Sequence, residues 1–172
     1  MRIRKSAGIF GAYFHPKFQA NFKYEEDEVY ASFYEKISAY DEQEEIELVK
    51  MLADPTCSLC QCLWYLMENR KWTYPATFNE KTELHPNYHG KIKNNSYNNK
   101  GTDVLMAICV GLKLNLRIIE KLFDKSNNKL NYYQDPDKTY IRILEMAPGI
   151  SLQDFNSICE KASVKQLGST IK

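Results

Sequence analysis

Apolar positions along this chain recur every three or four residues, and no alternating pattern of useful length interrupts them, which predicts an all-α fold. From Glu25 onward Val29, Phe33 and Ile37 mark one helical face. Ile46, Val49 and Leu52 resume it after the acidic run at 41–45, as one long helix or two divided near Tyr40. Asp54-Pro55 ends that pattern and opens the next helix, with Asp54 or Thr56 as N-cap and the proline near the first helical position. This helix places Leu59, Leu63, Leu66 and Met67 on one face with Trp64 beside them, and stops near Arg70-Lys71.

Thr73-Tyr74-Pro75 opens a short helix carrying Phe78, a tight turn carries Leu84, and a second short helix runs from Pro86 to about Asn94. The loop 94–101 is polar and rich in turn formers. An amphipathic helix from Thr102 then delivers Val104, Leu105, Ile108, Cys109 and Leu112 to a core. Asn115 caps a further helix with Leu116, Ile119 and Leu122, ending at Ser126-Asn127-Asn128. Asp135-Pro136 starts another, with Ile141 and Leu144 inward, and Pro148-Gly149 ends it. The pattern Ser151/Asp154 caps a last helix with Leu152, Phe155 and Ile158 inward. Residues 1–24 have no clear period and read as a loosely structured arm.

Composition keeps this picture within ordinary globular limits: the chain has 172 residues, 44% hydrophobic and 26% charged, with 12 Tyr and 8 Phe favouring compact structure over disorder. No apolar run approaches the roughly 20 residues that span a bilayer, so no membrane association is expected. The basic start Met1-Arg2-Ile3-Arg4-Lys5 is followed by a short aromatic stretch that makes a poor secretory signal. Cysteines 57, 60, 62, 109 and 159 are an odd set inside helical patterns. Reduced thiols in a cytoplasmic protein are the simplest expectation.

The net charge of +1 says little, but its partition says more. Residues 1–24 hold five cations and no acid, giving +5. Residues 25–54 hold eleven acids against Lys36 and Lys50, giving −9. Residues 70–100 set Arg70, Lys71, Lys81, Lys91, Lys93 and Lys100 against Glu80 and Glu83, giving +4. The basic patch falls on the two short helices, as phosphate binding requires. Two short helices joined by a tight turn also suit insertion of the second into a DNA major groove.

The order of elements from about Cys57 to Leu122 resembles the lambda-repressor-like, Xre/Cro family of helix–turn–helix proteins. The resemblance is most specific over Phe78–Ile92 and in the run LMAICVGLKLNL, with ISLQDFNSICEKASVKQLGS similar to the helical tail of a divergent bacterial branch. It implies a five-helix core whose second and third helices form the motif. Phe78 takes the buried position of the first motif helix, Leu84 the one after the turn, and Ile92 the one late in the recognition helix. Asn87, Tyr88 and Lys91 then face outward, with His89 at the edge of that set. The chain departs from the family pattern at Asn79, at Glu83 (a turn glycine), at His89 (an aliphatic) and at Gly90.

The function this implies is a double-stranded DNA-binding transcriptional regulator in a bacterial setting, reading the major groove through helix 86–94. Asn87 would pair with adenine and Lys91 with guanine or phosphate. Lys81, Lys93 and Lys100 would hold the backbone together with loop 94–99, and Tyr88 and His89 complete the candidate surface. Such proteins usually bind as homodimers. The alternative is a degenerate scaffold that serves as a protein-interaction or adaptor module without DNA affinity, with Tyr30, Phe33 and Tyr34 of the N-terminal extension as partner surface. The acidic segment 25–54 is either a solvated helix face or an intramolecular phosphate mimic laid over the basic surface.

Cys57-x-x-Cys60-x-Cys62 with His85 and His89 invites a zinc site, but 24 residues separate Cys60 from His85, about twice the spacing of a finger. Small buried hydrophobes explain these thiols better, so no metal and no cofactor are expected. No nucleophile elbow, phosphate loop or paired-carboxylate motif is present, and no enzymatic activity is expected. The organisation expected is an arm and acidic helical extension over 1–54, a helix–turn–helix domain over 55–126 and a helical tail over 127–172.

Overall fold

The computed structural model describes residues 42–98 and 101–168, which form eight α-helices and no strand. The helices are α1 (Glu42–Ala53), α2 (Leu59–Asn69), α3 (Pro75–Thr82), α4 (Asn87–Lys93), α5 (Thr102–Gly111), α6 (Leu116–Lys125), α7 (Asp137–Met146) and α8 (Leu152–Lys161). The readings that fall on residues 1–41, including the helical face of Val29, Phe33 and Ile37, lie outside the described residues, as do Asn99 and Lys100. Among the described residues no helix is long and apolar enough to cross a membrane.

Local signals set most helix ends. Asn115 accepts a hydrogen bond from the Ile118 amide at 3.0 Å, and Ser151 accepts one from the Asp154 amide at 3.1 Å. Both caps lie where the sequence pattern predicts them. The start of α2 differs. Asp54 accepts from the Thr56 amide and hydroxyl in a turn, and the helix begins only after Ser58. There Ser58 and Gln61 close a reciprocal capping box, satisfying two otherwise unpaired amides.

The core is one apolar cluster fed by every helix. The all-buried run 105–110 of α5 lies at its centre. Around α5 pack α3, α6 and α8, while α2 packs on α1 and α4. Two expected core residues are corrected. Ile46 is exposed and Leu48 is buried instead, because α1 is turned so that Glu44 reaches Arg70, at the C-cap of α2, along the Leu48–Leu52 face. Successive residues step about 100° around a helix, which puts Ile46 roughly opposite that face. Ile158 is likewise exposed, since α8 buries Leu152, Phe155, Asn156 and Cys159. Asn156 holds an inward position for a polar reason described below.

Lys125 of α6 fastens α1 from the other side. Its ammonium donates to the carbonyls of Met51 at 3.1 Å, Leu52 at 3.2 Å and Asp54 at 2.8 Å. These carbonyls lie at and just past the C-terminus of α1, where a cation is favoured.

Candidate functional site

Pro75 starts α3 at a position whose missing N–H costs nothing. The helix buries Phe78 and Thr82. Thr82 donates its hydroxyl to the Phe78 carbonyl at 2.7 Å and accepts from the Leu84 amide at 3.3 Å. Glu83 ends α3 in the left-handed region at φ 54°, its amide donating to the Asn79 carbonyl at 2.8 Å. The Asn79 carboxamide donates to the Leu84 carbonyl at 2.8 Å. Asn79 therefore holds the turn from the helix side, and Glu83 takes a backbone conformation that glycine adopts more readily. His85 then accepts from the Asn87 amide through Nδ1 at 3.2 Å, just ahead of α4.

α4 is only seven residues long and strongly two-sided. His89 and Ile92 point inward, with 3% and 1% of their surface exposed. At about 100° per residue, Asn87, Gly90, Lys91 and Asn94 share the opposite face. Asn87, Lys91 and Asn94 are exposed and Gly90 is partly so. His89 is thus corrected from an outward-facing residue to a core one. Its ring packs edge-on against Trp64 and Phe78 at 5.4 and 6.1 Å. Its Nε2 lies 3.0 Å from the Trp72 carbonyl. A carbonyl only accepts, so Nε2 carries the proton and donates. An imidazole can occupy this buried position because the Trp72 carbonyl takes its N–H.

The flanks of α4 carry cation–aromatic contacts. Lys91 holds its ammonium 5.2 Å from the ring centre of Tyr88, and Tyr88 packs edge-on against the buried Tyr97 at 6.0 Å. Tyr88 is accordingly half-buried on one flank. Lys93 lies on the other flank, 5.5 Å over Trp64. After the helix, Asn95 takes the left-handed region at φ 54° and accepts from the Ser58 hydroxyl at 2.7 Å, tying the exit of α4 to the start of α2.

The basic count of this region is thinner in space than in sequence. Arg70 is paired with the buried Glu44 carboxylate and donates through Nε to the Leu112 carbonyl at 3.0 Å. Lys81 pairs with its neighbour Glu80 at 2.8 Å. Lys91 and Lys93 remain the exposed cations of α4 itself, while Lys100 lies outside the described residues. The described part of the acidic segment, α1, packs on α2 and α6.

The cysteines separate from the histidines in role. Cys60 donates to the Tyr97 carbonyl at 3.5 Å, and Cys57 and Cys62 bring their sulfurs within 3.8 Å. Burial pushes the Cys60 thiol up and the Cys62 thiol to about 12, keeping both protonated at neutral pH. His85 and His89 are engaged by the Asn87 amide and the Trp72 carbonyl.

The sequence pattern did not reveal the brace behind the turn. The tail after α8 returns to it. Leu167 is fully buried, and Asn156 grips its backbone on both sides, accepting from its amide at 2.8 Å and donating to its carbonyl at 2.9 Å. Tyr140 donates to the Lys165 carbonyl at 2.6 Å, and the Lys165 ammonium pairs with Asp103. Gly168, at φ 81°, then lies directly on the turn: a Cβ there would stand 2.5 Å from the Thr82 carbonyl. The one sequence signal was Asn156 itself, a carboxamide inside the apolar stripe of Leu152, Phe155 and Cys159.

No protein-family model, curated protein or solved structure matches this chain.

Proposed function

We propose that this protein binds double-stranded DNA by laying α4 in the major groove, as a helix–turn–helix transcriptional regulator of the lambda-repressor-like type. In this reading α2 to α6 are the five-helix core, and α3 and α4 are the motif. The observation that carries it is the two-sided build of α4. Its inner side is locked by His89 and Ile92, and its outer side presents Asn87, Gly90, Lys91 and Asn94 to solvent. An α-helix with its side chains is about 10–12 Å across, which fits a groove about 12 Å wide. The brace of Leu167 and Gly168 backs the turn before α4, and the Ser58–Asn95 link ties the chain just after it, which supports the placement that readout of base edges demands.

Asn87 has the paired donor and acceptor that match adenine, and Lys91 the donor for guanine or phosphate. Lys93, and Lys81 once Glu80 yields it, supply phosphate contacts. A selection on random duplex DNA tests this. The wild type enriches a defined site, Asn87→Ala relaxes one base position, and Lys91→Ala flattens the salt slope by about one phosphate's worth. Absence of enrichment by the wild type refutes the proposal.

One observation favours a second reading, a scaffold that contacts protein and not DNA. Arg70 and Lys81, two of the six cations in 70–100, are engaged with carboxylates, leaving a modest positive face. Salt separates the two readings. A DNA binder with several phosphate contacts loses orders of magnitude in affinity between about 50 and 200 mM salt, and a protein-interaction module retards no DNA at either.

A further inference from the structure

Three of the five glycines among the described residues are required by the fold, and two are not. Gly111 lets α5 touch α3: a Cβ there would stand 2.7 Å from the Lys81 carbonyl and 3.2 Å from the Trp72 ring. Gly149 and Gly168 have positive φ. Gly101 is under no such constraint, with extended backbone that any residue adopts and open space for a Cβ, but it lies outside the helix, at the N-cap of α5. Gly90 has none of these reasons. It sits within α4, its φ is outside the left-handed region, and a Cβ built on it meets nothing within 4 Å. Glycine is the poorest helix former after proline, and here the fold would gain from any side chain.

What Gly90 does is leave bare, partly exposed backbone along one edge of the exposed face, next to Asn87 and Asn94. A missing side chain on a solvent-facing helix matters only to something that approaches from outside. Glycine is the residue that permits close approach of backbone to a ligand. We infer that Gly90 is a specificity-determining residue, set so that the backbone along this edge of α4 lies close against base edges beside the contacts of Asn87 and Lys91. This rests on the DNA-binding reading. It adds that the fit is one of depth, so that even one methyl at position 90 holds the helix off the bases without touching the phosphate contacts.

The test uses the full chain with Gly90→Ala and Gly90→Leu, against the duplex selected by the wild type and against random duplex. Gly90→Ala is expected to raise the thermal midpoint by about 2–4 °C, because alanine favours the helix and nothing obstructs it. Affinity for the selected site is expected to fall about tenfold, the scale of one lost base contact, and further for leucine. Affinity for random duplex, which is carried by phosphates, is expected to stay within about twofold. Gly90→Ala binding the selected site as tightly as the wild type overturns the inference and leaves the DNA reading standing. A parallel fall on selected and random duplex, or a lowered midpoint, also overturns it, since the change would then be general. A wild type that selects no duplex removes the DNA reading, and this inference with it.

Discussion

Replacing Asn156 with alanine tests whether the tail after α8 is a working part of the fold or a loosely attached end. The side chain makes two hydrogen bonds to the Leu167 backbone, at 2.8 and 2.9 Å, in a site where Asn156 is 8% exposed and Leu167 fully buried. Alanine leaves the chain two responses. If the tail stays, one amide and one carbonyl are stranded without partners, at about 1–3 kcal/mol each. If it peels away, the burial of Leu167 is lost, about 1.5–3 kcal/mol, with the Tyr140–Lys165 hydrogen bond adding about 1 kcal/mol. Regained chain entropy offsets part of that second cost. Peeling is therefore the cheaper route, and the net loss is expected near 2–3 kcal/mol. In urea this lowers the unfolding midpoint by about 1 M or more, given slopes of roughly 1–3 kcal/mol per molar. Peeling also has its own signature, because the exposed Lys161 and Lys165 lie at the start of and within the released segment. Trypsin is expected to cut there in Asn156→Ala under conditions that leave the wild type whole, read by mass. A loss below about 0.5 kcal/mol with unchanged protease resistance would show that the two hydrogen bonds do not hold the tail.

Three further outcomes follow from the packing. Gly111→Ala is expected to destabilise the fold by about 1–3 kcal/mol despite the better helix former, because its Cβ would meet the Lys81 carbonyl at 2.7 Å; an unchanged or raised thermal midpoint refutes this. Glu44→Gln is expected to cost about 1–3 kcal/mol in urea unfolding, as it removes the carboxylate facing the half-buried Arg70, and a neutral result would show that this ion pair does not hold α1. Burial raises the thiols of Cys62 (to about 12) and Cys159 (to about 11) above their unfolded values. Their contribution is therefore complete below the unfolded value near 8.5 and is lost as pH climbs toward 11–12. Stability should fall between pH 8 and pH 10.5, and native alkylation at pH 8 should mark Cys57, the half-buried thiol, ahead of the four buried ones. A flat pH profile, or early labelling of the buried thiols, contradicts the assignment.

The all-α character of the described residues could be read from the chain because helical periodicity and end caps are local properties. Asn115 and Ser151 cap through atoms three residues away, and Pro75 acts on its own backbone, so neighbours in sequence suffice. The same logic left the start of α2 ambiguous. Asp54, Thr56 and Ser58 all have capping chemistry, and the reciprocal bond with Gln61 favours Ser58. Ile46 and Ile158 were misplaced for a different reason. Periodicity says that a stripe exists, but α1 and α8 offer enough apolar residues to draw it at more than one angle. The angle adopted buries a polar group with a distant partner: Glu44 beside Arg70, and Asn156 on Leu167.

The candidate surface divides along the same line. That Asn87 and Lys91 lie on one face follows from spacing alone, since four residues of helix bring two side chains to one side. That His89 belongs to the core required knowing that the Trp72 carbonyl waits 3.0 Å from its ring nitrogen. That Arg70 is a packing residue required Glu44, twenty-six positions away. The return of Gly168 to the turn at Thr82 and Glu83 left no periodic trace at all. Interactions within one helical turn are written into residue order. Those that join segments far apart depend on how the helices pack, and here they decided which polar residues face solvent and what holds α4 in place.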